Sequence, residues 1–283
     1  MTVERVVSES VTTGPGSVDE STARSAVALD LTPAPGGAPA WRCVLAHAAI
    51  QTRVQLRNPE QLLVAIVIPL LALVVLSRTA LVSGSGPRID LAVPGVLALA
   101  VLSTAFASLS ITTGFERSHG VLRRLGATPL SRGGLLGGKA LSVLGVVAAQ
   151  TVVIVAVGLL LGWHPRVGHP VGAAAATLGL LVLGIAALAP LALLIAGTLA
   201  AETTLGVANL CYVLLLGVSA VLVPVSHYPH AVRPLAEGLP SGALADSLRG
   251  LWSSGGVHPA PLLIMATWAV VGSLLAVRYF RWD

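Results

Sequence analysis

Six stretches of this chain, near residues 61–77, 91–115, 140–162, 171–200, 205–223 and 259–277, contain no Asp, Glu, Lys or Arg. A helix needs about 20 apolar residues, at about 1.5 Å each, to cross the hydrocarbon core of a bilayer. Inside lipid the backbone must satisfy its own hydrogen bonds, which for runs of this length means helix. The runs therefore predict an all-α integral membrane protein with six transmembrane helices. The fourth is longer than a crossing requires, so it should tilt, bend at Pro190 or project beyond the membrane.

Composition agrees. The chain is 55% hydrophobic and 10% charged, with a mean hydropathy of +0.87, whereas soluble domains carry about 25% charged residues. A net charge of +5 and a pI near 10 do not signal nucleic acid. The cations cluster beside apolar runs, where topology and anionic head groups explain them, and at 4% aromatic residues there is little to stack on bases. Cys43 and Cys211 are too far apart and too few to build a disulfide framework; both read as small packing residues.

Cation placement orients the spans. Arg42, Arg53, Arg57, Arg117, Arg123, Arg124, Arg132, Lys139, Arg278 and Arg281 fall on one side; Arg78, Arg88, Arg166, Arg233 and Arg249 fall on the other. The richer side is expected to be cytoplasmic, which places both termini there. Residues 1–39 are rich in Ser, Thr, Gly and Pro, carry five acids and two arginines, and lack a long apolar run. They predict a disordered cytoplasmic tail, not a signal peptide.

Residues 41–57 (WRCVLAHAAIQTRVQLR) have helical periodicity, with Leu45, Ala49, Thr52 and Leu56 on one face and His47, Gln51 and Gln55 on another. Arg53 and Arg57 flank the polar strip. An amphipathic helix at the membrane surface is expected, its arginines meeting lipid phosphates, with Asn58 and Pro59 ending it. Between the fifth and sixth runs, prolines at 224, 229, 234 and 240 break up the segment 224–258. Short re-entrant helices are expected there on the extracytoplasmic side, one of them over 243–252.

The stretch GGLLGGKALS, residues 133–142, nearly spells the phosphate-binding loop G-x-x-x-x-G-K-[ST]. A working loop needs a preceding strand and a hydroxyl after the lysine to hold magnesium. Here Ala140 follows Lys139, TPLSR precedes Gly133, and an apolar span comes next. Lys139 instead reads as a snorkelling anchor at the membrane surface, and Gly134 and Gly138 as positions of close helix packing. The connection before it is long: Val121, Leu122 and Leu125 recur at helical spacing among Arg117, Arg123 and Arg124, and Thr128 and Pro129 then turn the chain. A short surface helix over 117–125 is expected.

Glu116, Arg117, Gly120, Leu125, the run Thr128, Pro129, Leu130, Ser131, Arg132, and Gly138 with Lys139 together resemble the signature of type 2 ABC transporter permeases, particularly actinobacterial drug-resistance and antibiotic exporters. The resemblance covers residues 41–283 and is supported by the topology; the tail is longer than such permeases usually carry. Beside the disordered tail expected over 1–39, it implies a permease transmembrane domain over 40–283. It also implies that Glu116, Arg117, Gly120, Arg123, Arg124, Leu125, Thr128, Pro129 and Arg132 form the element coupled to an ATPase; Arg53, Arg57 and Lys139 are expected, from their own placement, to anchor the chain at the membrane surface. The implied function is the transmembrane subunit of an ATP-driven exporter of a hydrophobic or amphiphilic substrate (drug, lipid or glycolipid). The subunit would be non-enzymatic and without cofactor of its own. ATP-Mg would be used by a separately encoded ATPase, and the permease would form a homodimer or a heterodimer with a related permease in a bacterial plasma membrane, among its lipids.

The rival readings are an ion-coupled secondary transporter and a non-catalytic scaffold or membrane enzyme. The first calls for an ionisable residue at mid-membrane. Glu116 and Glu202 lie at expected cytoplasmic ends, where Glu116 should pair with Arg117, Arg123 or a partner subunit. Gln150 and Asn209 are polar groups within spans and are expected to bond between helices. His164, His169, His227, His230 and His258 share the extracytoplasmic side, yet no cysteine or carboxylate completes a metal site with them. No paired carboxylates or Ser-His-Asp pattern appear, so no catalytic residue is assigned.

Overall fold

The computed structural model describes residues 39–79, 87–126, 132–165, 169–225 and 228–279; within these, the side chains of 59–64, Arg123, Gly126, Arg132 and Ser254 fall outside the description. The expected tail, apart from Pro39, lies outside the described residues, as do Thr128, Pro129 and His227. No strand occurs among those described. The helices are α1 (Ala40–Arg57), α2 (Pro59–Arg78), α3 (Arg88–Val101), a π-helical segment (Leu102–Ser108), α4 (Leu109–Ser118), α5 (Val121–Gly126), α6 (Arg132–Leu160), α7 (Pro170–Thr198), α8 (Ala201–Val218), α9 (Arg233–Gly238), α10 (Pro240–Ser254) and α11 (Pro259–Tyr279).

Among the described residues, five helices are long and apolar enough to cross a membrane: Arg88–Ser118, Gly133–Leu160, Pro170–Thr198, Ala201–Val218 and Pro259–Tyr279; Ala65–Arg78 is a shorter apolar helix. The Arg88–Ser118 rod, formed by α3, the π segment and α4, is the most enclosed of them. Val93, Val96, Leu97, Leu102, Phe106 and Leu109 all lie in the core. The helices at the edge show their apolar side chains to the surroundings, as with Leu210, Val213 and Leu214 on α8 and Leu263 and Leu274 on α11. Such a surface is stable in hydrocarbon and costly in water.

The GGLLGGK stretch lies within the first turns of α6. From Leu136 onward the helix commits its backbone N–H groups to carbonyls four residues back, so Gly137 and Gly138, next to Lys139, do not form a phosphate cradle. Gly138 instead packs against α1, as does Gly145 further along α6. A Cβ on Gly138 would stand 2.8 Å from His47 Cδ2, and one on Gly145 2.9 Å from Thr52 Cγ2. These two positions, seven residues apart, let α1 lie directly on α6. Gly138→Leu should therefore push the helices apart and cost about 1–3 kcal/mol. Gly137→Leu, where a Cβ meets nothing within 4 Å, should cost nothing measurable. Thermal unfolding of the two purified variants checks the contrast.

The surface helix expected over 117–125 is in fact two pieces. Arg117 belongs to the end of α4, the chain turns at His119 and Gly120, and α5 starts at Val121. Gly120 adopts φ +70°, a left-handed conformation that ends a helix cheaply only at glycine. The helix expected over 243–252 lies inside α10.

Candidate functional site

The polar strip of α1 does not face solvent. Gln51 Nε2 donates to Glu116 Oε1 at 2.8 Å, and Lys139 Nζ donates to Glu116 Oε2. Lys139 is 0% exposed. The expectation of a snorkelling lysine is thus corrected, as is that of Glu116 pairing with Arg117; the Arg123 side chain lies outside the described residues. Lys139 lies one residue beyond the close α1–α6 contact at Gly138, so α1 covers it; a buried ammonium then needs a carboxylate, and α4 supplies Glu116. His47 completes the cluster. Its imidazole pKa is lowered, first by burial and then by the Lys139 charge, with Glu116 opposing.

Arg117 is committed elsewhere. Its Nη1 donates to Ala196 O at 3.0 Å and its Nη2 to Leu199 O at 2.6 Å. The last carbonyls of a helix have no intrahelical partner, and a guanidinium satisfies them while complementing the negative end of the helix dipole. Arg117 therefore fixes the end of α7 to α4. On α5, Leu122 is fully buried and Leu125 packs on the core, while Arg124 is exposed. Arg53 and Arg57 are exposed on α1, and Arg132 opens α6.

Alongside this junction runs a cavity of about 480 Å³, within the ~300–1,000 Å³ range of small-molecule pockets. It extends from Gln55 and Asn58, at the α1–α2 junction, past Ser103, Thr104, Ala107, Ser108 and Thr112 to Asn209 and Tyr212 on α8. Hydroxyls and amides alternate there with Ile68, Pro69, Leu99, Ile111 and Val146, and no lining residue is charged. The π segment shapes this wall: its wider turns redirect Ser103, Thr104, Ala107 and Ser108, and such segments are frequent at functional sites.

Pro69 organises the same region. Lacking an N–H, it leaves the carbonyl of Ala65, four residues earlier, without its helical donor. Gln150 Nε2 fills the place at 2.8 Å, and Gln150 Oε1 accepts from Thr104 Oγ1 at 3.1 Å. The interhelical role expected of Gln150 is observed; Asn209 lines the cavity instead. Sequence reasoning missed the Pro69–Gln150 pairing, although a proline inside one span and a lone glutamine inside another are a readable sign of it.

On the far side of the bundle, Arg249, counted from the sequence among the extracytoplasmic cations, is buried. It donates through Nη1 to Ala220 O at 3.0 Å and to Asp246 Oδ1 at 3.1 Å, and through Nη2 to Val221 O. The chain beyond α8 carries orphan carbonyls that only a forked donor can satisfy together. Among the described residues no three His, Cys, Asp or Glu side chains gather at metal-binding distance.

Fold and site together define a multi-pass, all-helical membrane protein with a neutral cavity between its spans. A family model described as ABC-2 type transporter matches residues 44–251, and the chain belongs to that family. It is a membrane-embedded permease subunit of an ABC transporter. A comparison with curated proteins returned no match.

Proposed function

We propose that the chain is the transmembrane subunit of an ATP-driven exporter, resembling actinobacterial drug-resistance exporters, that moves a hydrophobic or amphiphilic molecule out of the cytoplasm of a bacterial cell. The cavity carries this reading. Its apolar patches suit a hydrocarbon body, its hydroxyls and amides suit a neutral or weakly polar head, and its lack of charge disfavours an ion. In this reading α2 is the sixth span and both termini are cytoplasmic. The permease works as a dimer with itself or a relative, and a separately encoded ATPase uses ATP-Mg. α9 and α10 form the re-entrant extracytoplasmic element.

Residues 116–132 receive the work of the ATPase. The arrangement of α5 supports this: Leu122 ties it to the core, Arg124 is free for an acidic partner surface, and the Gly120 turn joins it to α4. A push on α5 would pass into α4, whose Arg117 holds α7 and whose Glu116 holds α1 and α6. Thr128, Pro129, Arg123 and Arg132 belong to the same proposed element.

Two measurements test the reading. Co-expressed with the ATPase of a neighbouring reading frame, the chain should copurify with it and move a fluorescent amphiphile only with ATP; transport that survives ATP depletion but collapses with the proton gradient overturns it. Ala107→Trp, which fills the cavity from the π segment, should lower that transport at least about tenfold, the equivalent of about 1.4 kcal/mol, with the complex intact. Unchanged transport would remove the cavity from the path.

A further inference from the structure

A second groove, of about 440 Å³, lies on the outer side of α1 against α6. Its walls and floor are Leu45, Ala48, Ala49, Leu56 and Leu141, and Arg53 and Arg57 stand at its rim. Thr52 also lines it, but its hydroxyl donates to Ala48 O at 2.8 Å and to Ser142 O at 3.3 Å, so it offers the groove little polarity. The helix carries three arginines and no acidic residue. Arg53 and Arg57 are exposed and, among the described residues, neither forms an ion pair.

We infer that this groove is a binding site for one anionic phospholipid, the phosphate held between Arg53 and Arg57 and one acyl chain laid along Leu45, Ala49, Leu56 and Leu141. Residues four apart on a helix stand side by side, and two guanidinium forks at that spacing can share a single phosphate. General attraction to head groups needs only charge. The apolar floor beneath the two cations adds a seat that free phosphate cannot use and a hydrocarbon chain can. A zwitterionic head group would bring its own cation toward two arginines without any acid to receive it, so the site selects anionic lipid. Trp41, exposed and with the Arg42 guanidinium 5.2 Å from its ring centroid, places the start of the same helix at the interface where such rings settle. The inference rests on the membrane location of the chain and is independent of what it transports.

Native mass spectrometry of the full chain, released from detergent with graded phosphatidylglycerol or phosphatidylcholine, tests it without any ATPase. The wild-type chain should retain one phosphatidylglycerol with about tenfold preference over phosphatidylcholine, the order that two cations near a phosphate supply. The double variant Arg53→Gln, Arg57→Gln should lose that preference. Ala49→Trp, which fills the groove and keeps both cations, should lose it too. All three positions are exposed, so thermal unfolding should be unchanged. Equal retention of the two lipids by the wild-type chain overturns the proposal. So does wild-type preference in Ala49→Trp, which would mean surface charge alone, or displacement of the lipid by millimolar inorganic phosphate, which would mean a plain anion site.

Discussion

Lys139→Met is expected to be the most damaging single substitution at the α1–α4–α6 junction. The wild-type ammonium is fully enclosed and donates to Glu116, whose other oxygen accepts from Gln51. Methionine fills much the same volume, so the change isolates the charge. It leaves a half-buried carboxylate with one neutral donor, and stripping one partner from a buried ion pair costs about 3–5 kcal/mol. For a domain of this size that corresponds to a fall of about 6–20 °C in thermal unfolding. The double variant Lys139→Met, Glu116→Gln should recover most of the loss, because the amide still meets Gln51 and no charge is stranded. A Lys139→Met protein as stable as wild type, or a double variant worse than the single, would show that the pair does not hold the junction.

Such a pair could not be read from the sequence. The apolar runs made the spans legible because burial in hydrocarbon constrains every residue of a crossing. A single lysine at a span end satisfies the same pattern whether it snorkels or turns inward. What decides is Gly138, which brings α1 so close that Lys139 is covered. That is a property of two helices whose sequences lie 75 or more residues apart. The faces of α1 show the same limit. Periodicity separated His47, Gln51 and Gln55 from the apolar side correctly, but water, lipid and a buried glutamate all attract a polar strip. Gln150 was more accessible, since a lone amide inside a span must find a partner; its use of the carbonyl freed by Pro69 is the part that needed coordinates. The coupling role proposed for residues 116–132 rests on resemblance, and the structure adds that Arg117 spends its donors on α7.

The second large effect is expected at the other end of α8. This helix buries few of its own residues, Thr204 and Ala208, so lateral packing alone holds it weakly. Its ends are held by arginines instead. Arg117 donates to Leu199 just before it starts, and Arg249 to Ala220 and Val221 just after it stops. The outer turn is also tightly enclosed: Ser219 and Ser241 hydroxyls meet at 2.7 Å, and a Cβ on Gly242 would come within 2.5 Å of Ser219 O. Ala220 is held there at φ 54°, a left-handed conformation that costs a non-glycine residue roughly 1–2 kcal/mol. Arg249→Met removes the donors to two buried carbonyls, about 1–3 kcal/mol each, and frees Ala220 to relax. Hydrogen exchange over 219–225 should accelerate at least about tenfold, an opening easier by about 1.4 kcal/mol, while exchange around Leu199 stays unchanged. Ala220→Gly acts in the opposite sense, relieving the backbone without touching the arginine, and should slow exchange. Were Arg249→Met to leave the turn as protected as wild type, the serine pair and the Gly242 contact would be sufficient anchors. If the turn opens, Asn209 and Tyr212, which line the cavity from the middle of α8, are carried by a helix whose position is set by two arginines at its ends.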